Sequence, residues 1–590
     1  MREKRRIPYG VGNWAKLVRD DKYFYVDHTA YIRALERYDT PVFLRPRRFG
    51  KTMWCSILEC YYDVGMKKDF AKLFGKTDIG RNPTELRNSF LILRLNFSLV
   101  EVGETGDLDR IERSFNGHVT SCVRLLALRY GRFADFRRAA KAKTAIDAIV
   151  AIREALVAAR QKRGVVPPVY LIIDEYDNFM NQLIVARRDG DYEKLVSKTS
   201  FLKNFFKAVK AGMEEDGVIG KTYITGVLPV VLDDLTSGFN IAKMVNLESE
   251  LLGMLGFTQR DVDRYVDEIY ADYGFDPATK APLVAELKSL YDNYRFLPQQ
   301  KESIYNSTIL NYYLDEFTLH DGTPPENPID GNVRTDVSWL ARLTGNGAGA
   351  LEDIRTLVEG DGRLSVPTER LDPHAFTKAN FFNKAYFGAA LYYLGMLSYD
   401  PKGMRSMMLP NLTLRRIMLG YYDELQQYFS GTRHEDAFNE ATEAFAADGD
   451  WPKLMAAYWK NYVGRIPARS FGNLTEAFFQ LSFADLCWRN LPSLYSAHVE
   501  PNLHSGLADF VAYPVTDDDR KICVIEFKYR KARGKREEER GARARVTAAD
   551  KRQVAAYAAD VKSLHPQREV EAFVCSIVGN RSYSFRKVEV

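Results

Sequence analysis

Cysteine and histidine are scarce in this chain of 590 residues, and neither follows a metal-binding pattern. The eight histidines show no ligand spacing. No CxxC pair occurs among the six cysteines, which are Cys55, Cys60, Cys122, Cys487, Cys523 and Cys575. These absences argue against a disulfide framework and a zinc site, and they indicate a reducing compartment.

Long apolar runs are absent as well. No stretch approaches about 18 consecutive apolar residues, and no apolar segment follows the basic N-terminus MREKRRIPYGVG. We therefore expect neither a signal peptide nor a membrane span, and a cytoplasmic protein is the simplest expectation.

An excess of charge of one sign is also lacking. The net charge is +5, from 83 basic and 78 acidic residues. The overall charge therefore does not indicate nucleic-acid binding, which would need a local basic patch. The hydrophobic share of 46% and the charged share of 27% are typical of a folded globular protein. The length predicts roughly three or four domains of ~150 residues.

What the sequence does contain is a phosphate-binding pattern in PVFLRPRRFGKTMWCSILECYY, residues 41–62. Its apolar spacing predicts a strand, a loop and a helix in that order. Such a loop presents backbone N–H groups and the positive helix end to an anion. Gly50 lets the backbone approach phosphate, Lys51 can reach the β- and γ-phosphates, and the Thr52 hydroxyl can hold Mg²⁺. Only Arg45 breaks the GxxxxGK(S/T) pattern.

An ATPase of this kind also needs a carboxylate at the end of a neighbouring strand. The run VYLIIDEYD supplies one, and its apolar residues predict a central parallel strand. Asp174 would be the Mg²⁺ partner, and Glu175 the base that orients the attacking water. Thr225 ends a third predicted strand, where it either senses the γ-phosphate or caps the sheet.

A second group of charged residues lies near the C-terminus, on the predicted strands GLADFVAY and KICVIEFK. If the turn between them centres between Asp517 and Asp518, Asp509 lies opposite Glu526, with side chains ~5 Å apart. Adjacent carboxylates repel unless a cation lies between them, so Mg²⁺ or Mn²⁺ would complete the site. Lys528 points to the same face and could activate a water or neutralise the attacked phosphate.

Together these motifs resemble the bacterial AAA-ATPase-like proteins that carry a C-terminal PD-(D/E)XK nuclease-like domain. In that family the loop reads RPRRFGKT, so Arg45 is its normal residue. One departure is Asn293, which stands where the family usually has glycine. The resemblance covers most of the chain and rests on YFYVDHT, FLRPRRFGKT, LIIDEYD, ITGVLPVVLDDLTSGFNI, GFT, YDNYRF, IYNSTIL, LGMLSYD and LPN.

The resemblance implies an α/β fold: a P-loop NTPase with a parallel sheet and flanking helices, then a helical lid and winged-helix region, then a restriction-endonuclease-like α/β domain. A winged helix can hold DNA, but it can also merely join domains. The expected ranges are 1–250 for the ATPase, 251–375 for the lid, 376–431 for the winged-helix-like region, 432–467 for a helical linker and 468–590 for the nuclease-like domain.

The resemblance also extends both sites. Glu476 would match the N-terminal helix glutamate of the nuclease fold, and Gln553 the helix glutamine that contacts substrate phosphate. Phe49 belongs to the nucleotide loop, and Arg47 and Arg48 either lie near the phosphates or pair with surface carboxylates. No arginine finger is assigned.

Two functions fit these features. In the first, ATP binding and hydrolysis control a metal-dependent nuclease acting on nucleic acid. In the second, the protein is an ATP-dependent switch whose nuclease-like fold is a non-catalytic platform. The stretch 528–545 holds nine basic and three acidic residues, and it either follows a nucleic-acid backbone or is a solvated loop. ATPases of this type often act as assemblies, so a homo-oligomer is a further expectation.

Overall fold

The computed structural model describes most of the chain. The described residues are 4–589 apart from 20, 104–107, 187, 198–199, 230–238, 326, 330–339, 341–342, 344–347, 361, 374–375, 382, 404, 431–434, 467–473, 516–518, 531–545 and 580–581. In these ranges no helix combines the length and the apolar character that a membrane crossing requires.

The strands are β1 (Pro41–Leu44), β2 (Leu91–Asn96), β3 (Val169–Asp174), β4 (Ile219–Gly226), β5 (Lys243–Met244), β6 (Arg363–Ser365), β7 (Ser398–Tyr399), β8 (Ser406–Met408), β9 (Tyr495–Val499), β10 (Asn502–Leu503), β11 (Gly506–Leu507), β12 (Phe510–Pro514), β13 (Ile522–Arg530), β14 (Val570–Val578) and β15 (Ser582–Val588).

The helices of the first half are α1 (Trp14–Val18), α2 (Tyr31–Leu35), α3 (Lys51–Tyr62), α4 (Phe70–Phe74), α5 (Asp78–Arg81), α6 (Leu108–Tyr130), α7 (Arg137–Ala140), α8 (Ala145–Arg163), α9 (Asn178–Val185), α10 (Asp189–Val196), α11 (Phe201–Glu214), α12 (Gln259–Tyr273) and α13 (Lys280–Tyr291). The second half has α14 (Ser307–Leu319), α15 (Ala348–Glu359), α16 (Lys378–Phe381), α17 (Phe387–Tyr393), α18 (Leu412–Ser430), α19 (Glu435–Asp448), α20 (Trp451–Asn461), α21 (Glu476–Asn490) and α22 (Ala548–Leu564).

The N-terminal sheet confirms the predicted parallel α/β domain. Its strand order is β2-β3-β4-β1-β5, and all neighbouring strands are parallel. Every residue of β3 is buried, as in a central parallel strand covered on both faces. The carboxyl ends of parallel strands meet at one edge, so the loop after β1 lies at the same edge as Asp174 on β3 and Thr225 on β4.

The predicted winged-helix-like unit includes a small sheet that crosses the predicted boundary at residue 376. Its antiparallel sheet has the order β6-β8-β7, so the first strand lies within the range predicted as lid. All seven residues of α17 are buried, and the large apolar residues of this unit share one core with the ATPase sheet. The helix α17 therefore has no exposed face to enter a DNA groove, and the two predicted roles of this unit, holding DNA and joining domains, stay predictions.

In the region 432–467, predicted as a helical linker, the two described helices pack on the C-terminal sheet. Its helices α19 and α20 carry apolar residues that pack in one cluster with β12 and β13. The Trp451 ring lies 5.2 Å from that of Tyr495 and 6.2 Å from that of Phe510. The sequence explains this packing, because α20 has apolar residues at the spacing of one helical face: Trp451, Leu454, Met455 and Tyr458.

The C-terminal sheet is mixed, with the order β15-β14-β13-β12-β9. Only β13 and β14 pair in parallel, and α22 forms the crossover between them. In the β12–β13 hairpin Phe510 pairs with Ile525 and Val511 with Val524. Continuing this register by one residue places Asp509 opposite Glu526, as the position of the turn predicts.

The backbone conformation at position 293 explains why asparagine can stand where the family usually has glycine. Its φ is +74°, a left-handed conformation that favours glycine and that asparagine tolerates better than most residues. We expect Asn293→Ala to lower the free energy of unfolding by about 1 kcal/mol, and Asn293→Gly to change it by only a few tenths. Urea unfolding of the three proteins checks this. Equal stability of the alanine and glycine variants would contradict it.

Candidate nucleotide and metal sites

The nucleotide loop is held in one conformation by left-handed residues and by the lid. Arg48 has φ +70° and Gly50 has φ +89°, and α3 begins directly after them. The Arg48 carbonyl accepts a hydrogen bond from the Thr308 amide at 3.1 Å, at the start of α14. The buried Lys51 donates to the carbonyls of Arg45 and Pro46 at 2.9 and 2.8 Å. The lysine ammonium therefore lies in the curve of the loop, where a phosphate would bind.

Arg45, which breaks the glycine pattern, points away from this loop. Its guanidinium donates to the Asn246 carbonyl at 2.8 Å and lies 4.5 Å from the centre of the Phe43 ring and 4.0 Å from that of Phe296. Burial lowers the pKa of Arg45 to about 10. Because Phe296 follows the lid helix α13, Arg45 ties the loop to the lid and is not a phosphate ligand.

A cavity of about 540 Å³ opens over the loop, which is within the size range of small-ligand sites. Most of the predicted nucleotide-binding residues line it together: Arg47, Arg48, Phe49, Gly50, Lys51, Thr52 and Glu175. The N-terminal segment and the lid supply further walls, including Trp14, Tyr25, His28, Phe257 and Asn311, which sequence reasoning missed. Burial lowers the pKa of Lys51 to about 8 despite the carboxylates of Asp177, Glu175 and Asp174.

Asp174 fits a metal-binding role. It is fully buried, and both carboxylate oxygens lack a hydrogen-bond partner among the described residues. The Arg94 Nη2 atom lies 3.6 Å from Oδ2, close enough to compensate charge but too far for a good hydrogen bond. Arg94 also donates to the Thr52 carbonyl at 3.3 Å. A buried carboxylate with unused oxygens beside a GKT loop is the donor expected for Mg²⁺.

Glu175 has a strained backbone. Its φ is +50°, which is unusual for a non-glycine residue and frequent at functional sites. Its Oε2 accepts a hydrogen bond from the Asn178 side chain at 2.8 Å. Burial, followed by the charge of Asp174, raises the pKa of Glu175. A raised pKa beside the cavity suits the predicted general base.

Thr225 does not reach the cavity. It is fully buried, and its hydroxyl donates to the Phe43 carbonyl at 2.8 Å. This hydrogen bond is the one expected if Thr225 caps the sheet, and it gives no support to a γ-phosphate sensor.

Asp177, to which the sequence analysis gave no role, accepts hydrogen bonds from the amides of Val227 and Leu228 at 3.1 and 2.8 Å. Asp177 thus positions the chain that follows β4 beside the cavity.

In the C-terminal domain, Asp509, Glu526 and Lys528 lie close together at one end of the β12–β13 pair. The Asp509 carboxylate accepts a hydrogen bond from the Phe527 amide at 2.6 Å. Lys528 Nζ donates to Glu526 Oε1 at 2.6 Å and lies 3.7 Å from Glu476 Oε1. Glu476 begins α21, and its Oε2 accepts from the Tyr529 amide at 3.0 Å. Four predicted site residues are therefore in mutual contact or in register.

Burial governs the charge of this group. The pKa of Asp509 is raised to about 7 by burial and then by the neighbouring Glu526. Burial also raises the pKa of Glu526, against the effect of Lys528. For Lys528 burial lowers the pKa, but the hydrogen bond to Glu526 and the charges of Glu526, Glu476 and Asp509 together outweigh it, so the net pKa is raised. In the metal-free site, Asp509 therefore resists ionisation near neutral pH.

Glu526 fits the role of a metal ligand for the same reason as Asp174, because it is a buried carboxylate with an oxygen that no described residue bonds. It is 1% exposed, and its Oε2 atom has no hydrogen-bond partner among the described residues. No group of three or more His, Cys, Asp and Glu side chains in the described ranges is arranged to hold a metal. An ion at Asp509 and Glu526 would therefore need water, peptide oxygens or substrate phosphate as further ligands, which is usual for Mg²⁺.

Gln553 is not in contact with the carboxylates. It lies on α22, is exposed, and donates to the Tyr557 hydroxyl at 3.0 Å. The helix α22 packs on the sheet face that carries Val511, Val524 and Val574. By strand alternation, Glu526 and Lys528 belong to that same face. Gln553 is therefore on the correct side of the sheet, and its contact with substrate stays a prediction.

Comparisons with known families agree with this architecture. Residues 8–236 match the family of predicted AAA-ATPases. Residues 474–585 match the PD-(D/E)XK nuclease superfamily. The chain thus carries an AAA-ATPase-like domain followed by a domain of the PD-(D/E)XK nuclease superfamily, as the sequence motifs predict.

The relatives found by comparison are distant. An uncharacterized protein from the vnfD 5' region of Azotobacter chroococcum mcd 1 is 25% identical over 335 residues, which are 54% of this chain. The chain spans 55% of the length of that curated relative. A Walker-type ATPase of Pyrococcus abyssi is 11% identical, with a TM-score of 0.39, over 68% of this chain and 97% of the solved one.

Proposed function

We propose that this protein is an ATPase whose nucleotide state regulates a metal-dependent nuclease acting on nucleic-acid phosphodiesters. One observation carries the proposal: each of the two sites contains a buried carboxylate with at least one oxygen that has no hydrogen-bond partner in the described residues, both oxygens of Asp174 in one and Oε2 of Glu526 in the other. Buried polar groups are normally satisfied, so these oxygens support the binding of a divalent cation in addition to the neighbouring Arg94 and Lys528.

In the ATPase site the chain's own groups bind and orient the nucleotide. The loop amides around Gly50 and the Lys51 ammonium bind the phosphates, and Glu175 orients the attacking water. Arg47 and Arg48 line the same cavity, so they can add positive charge near the phosphates. Bound through Thr52 and Asp174, Mg²⁺ would neutralise charge that develops on the phosphate oxygens.

In the nuclease site Lys528 is held between Glu526 and Glu476, so it can orient a water or stabilise the attacked phosphate. Glu476 keeps Lys528 in place, because it is anchored to the Tyr529 amide. A divalent ion held by Asp509 and Glu526 would lower the pKa of a bound water. Gln553 would bind a substrate phosphate from α22.

Regulation can pass through direct contacts from the loop to the C-terminal domain. A side-chain carbon at Gly395, in the winged-helix-like unit, would come within 2.4 Å of the Pro46 ring of the loop. The Tyr392 hydroxyl donates to the Phe296 carbonyl at 3.0 Å. On the far side of this unit, Arg416 of α18 donates to Asp485 of α21 at 3.1 Å. Movement of the lid would therefore change the contact between α18 and the nuclease-like domain.

The test measures the two activities on one preparation. ATP hydrolysis should be lost in Lys51→Ala and kept in Glu526→Ala, whereas cleavage of labelled DNA or RNA with Mg²⁺ or Mn²⁺ should be lost in Glu526→Ala. ATP binding without cleavage by the wild type, and without Mn²⁺ binding at Asp509 and Glu526, would instead favour the switch with a non-catalytic platform.

A further inference from the structure

One more charged residue lies on the face of β13 that carries the nuclease-like site. Side chains alternate along a strand, so Glu526, Lys528 and Arg530 project to the same side. At about 3.3 Å per residue, the Arg530 Cα lies about 7 Å beyond that of Lys528 and about 13 Å beyond that of Glu526. Arg530 is the last residue of β13.

The guanidinium of Arg530 has unused donors. Its Nε and Nη2 atoms are buried and have no hydrogen-bond partner among the described residues. Arginine presents donors in a planar fork that matches a phosphate or a carboxylate. Leaving such donors buried and unpaired costs free energy, and an anionic ligand would recover it.

The charge of the site favours a phosphate as that ligand. Asp509, Glu526 and Glu476 bring three carboxylates, and Lys528 is already hydrogen-bonded to Glu526 at 2.6 Å. Even with Lys528 and a divalent ion, the three carboxylates leave the site without an excess of positive charge, so a phosphodiester approaching it would be bound better with a further cationic group. Arg530 supplies it on the same face, with donors that no protein acceptor in the described ranges occupies.

We propose that Arg530 binds a phosphate that flanks the scissile phosphodiester of a nucleic-acid substrate. This inference rests on the proposed nuclease function, because that function supplies the substrate class. The side chain must turn outward from its half-buried position, and neither Nε nor Nη2 has a hydrogen bond to a described residue that this turn would break. Arg530 is a binding residue and takes no part in bond cleavage.

The experiment measures binding separately from cleavage. Full-length protein carrying Glu526→Gln is titrated with fluorescent DNA and RNA oligonucleotides at several salt concentrations, alone and combined with Arg530→Gln or Arg530→Lys. Arg586→Gln is the matched control, since Arg586 is exposed on β15 of the same sheet. We expect Arg530→Gln to weaken binding about tenfold and to reduce the slope of log K against log salt by about one.

The variants also separate phosphate binding from a structural role. Arg530→Lys should bind more tightly than Arg530→Gln but less tightly than the parent, because lysine keeps the positive charge but lacks the planar set of donors of the guanidinium. The melting temperature should not fall in Arg530→Gln, because Nε and Nη2 make no hydrogen bond to a described residue that would be lost. Unchanged affinity and salt slope in Arg530→Gln, or no nucleic-acid binding by the parent protein, would overturn the inference. Cleavage by wild type and by Arg530→Gln at equal rates and equal substrate affinity would leave the proposed function intact while removing this one.

Discussion

Replacing Asp174 by asparagine should reduce ATP hydrolysis at least ~100-fold while leaving Mg²⁺-free nucleotide binding nearly unchanged. The reason is that phosphate binding and metal binding depend on different residues of the site. Lys51 and the loop amides would hold the phosphates without help from Asp174, whereas the Asp174 oxygens make no hydrogen bond to a described residue and have only Arg94, at 3.6 Å, as a charged neighbour, so they can bind the metal. The substitution keeps the size of the side chain and removes its charge.

The measurement compares steady-state hydrolysis with the affinity for a fluorescent ATP analogue, each with and without Mg²⁺. Mg²⁺ should strengthen nucleotide binding in the wild type and have little effect in Asp174→Asn. Asp147→Asn serves as the control, because Asp147 is an exposed aspartate on α8 of the same domain. Hydrolysis by Asp174→Asn within a factor of about three of the wild type would contradict the metal assignment.

Replacing Asp509 by asparagine should abolish cleavage and at the same time stabilise the metal-free protein. Loss of a metal ligand should lower the cleavage rate by ~100-fold or more. The stability effect follows from the pKa of Asp509, which is about 7 in the folded protein and about 3.9 in an unfolded chain. At pH 8 the wild type must keep an unfavourable buried charge that asparagine avoids, so the variant should gain about 1–3 kcal/mol.

The sign of the pH dependence is fixed by the raised pKa. Below pH 7 the folded wild type takes up a proton at Asp509, so the advantage of Asp509→Asn should shrink between pH 7 and 4 and vanish at lower pH. Urea unfolding in a chelator at several pH values measures this, with Asp519→Asn as the exposed control in the same hairpin. Mg²⁺ at pH 8, added without nucleotide, should stabilise the wild type more than Asp509→Asn. A variant less stable than the wild type at pH 8 would refute the account of this site.

Several features of both sites could be predicted from local sequence. The GKT tripeptide after an apolar strand located the nucleotide loop, and the length of the turn between two strands fixed the register that brings Asp509 opposite Glu526. These features depend on residues close together in the chain, whose geometry is set by strand alternation and by turn length.

Features that depend on tertiary packing could not be predicted. The hydroxyl of Thr225 bonds to a carbonyl of a neighbouring strand, and Arg45 stacks on Phe296 of the lid. Nothing in either local sequence distinguishes these partners from a phosphate. Arg94 and Asp177 likewise acquire their roles only when β2, β3 and β4 are adjacent. The charged residues at alternate positions, Glu526, Lys528 and Arg530, were readable in the sequence, but the Arg530 donors without a partner among the described residues were not.

The regulated nuclease is tested most directly by one cleavage assay. Labelled single- and double-stranded DNA is incubated with Mg²⁺ or Mn²⁺, with no nucleotide, with ATP and with a non-hydrolysable analogue, using wild type, Lys51→Ala and Glu526→Ala. Metal-dependent cleavage by the wild type should change with the nucleotide, should lose that response in Lys51→Ala, and should be absent in Glu526→Ala. Cleavage that is identical in all three nucleotide conditions, or that persists in Glu526→Ala, would contradict the account.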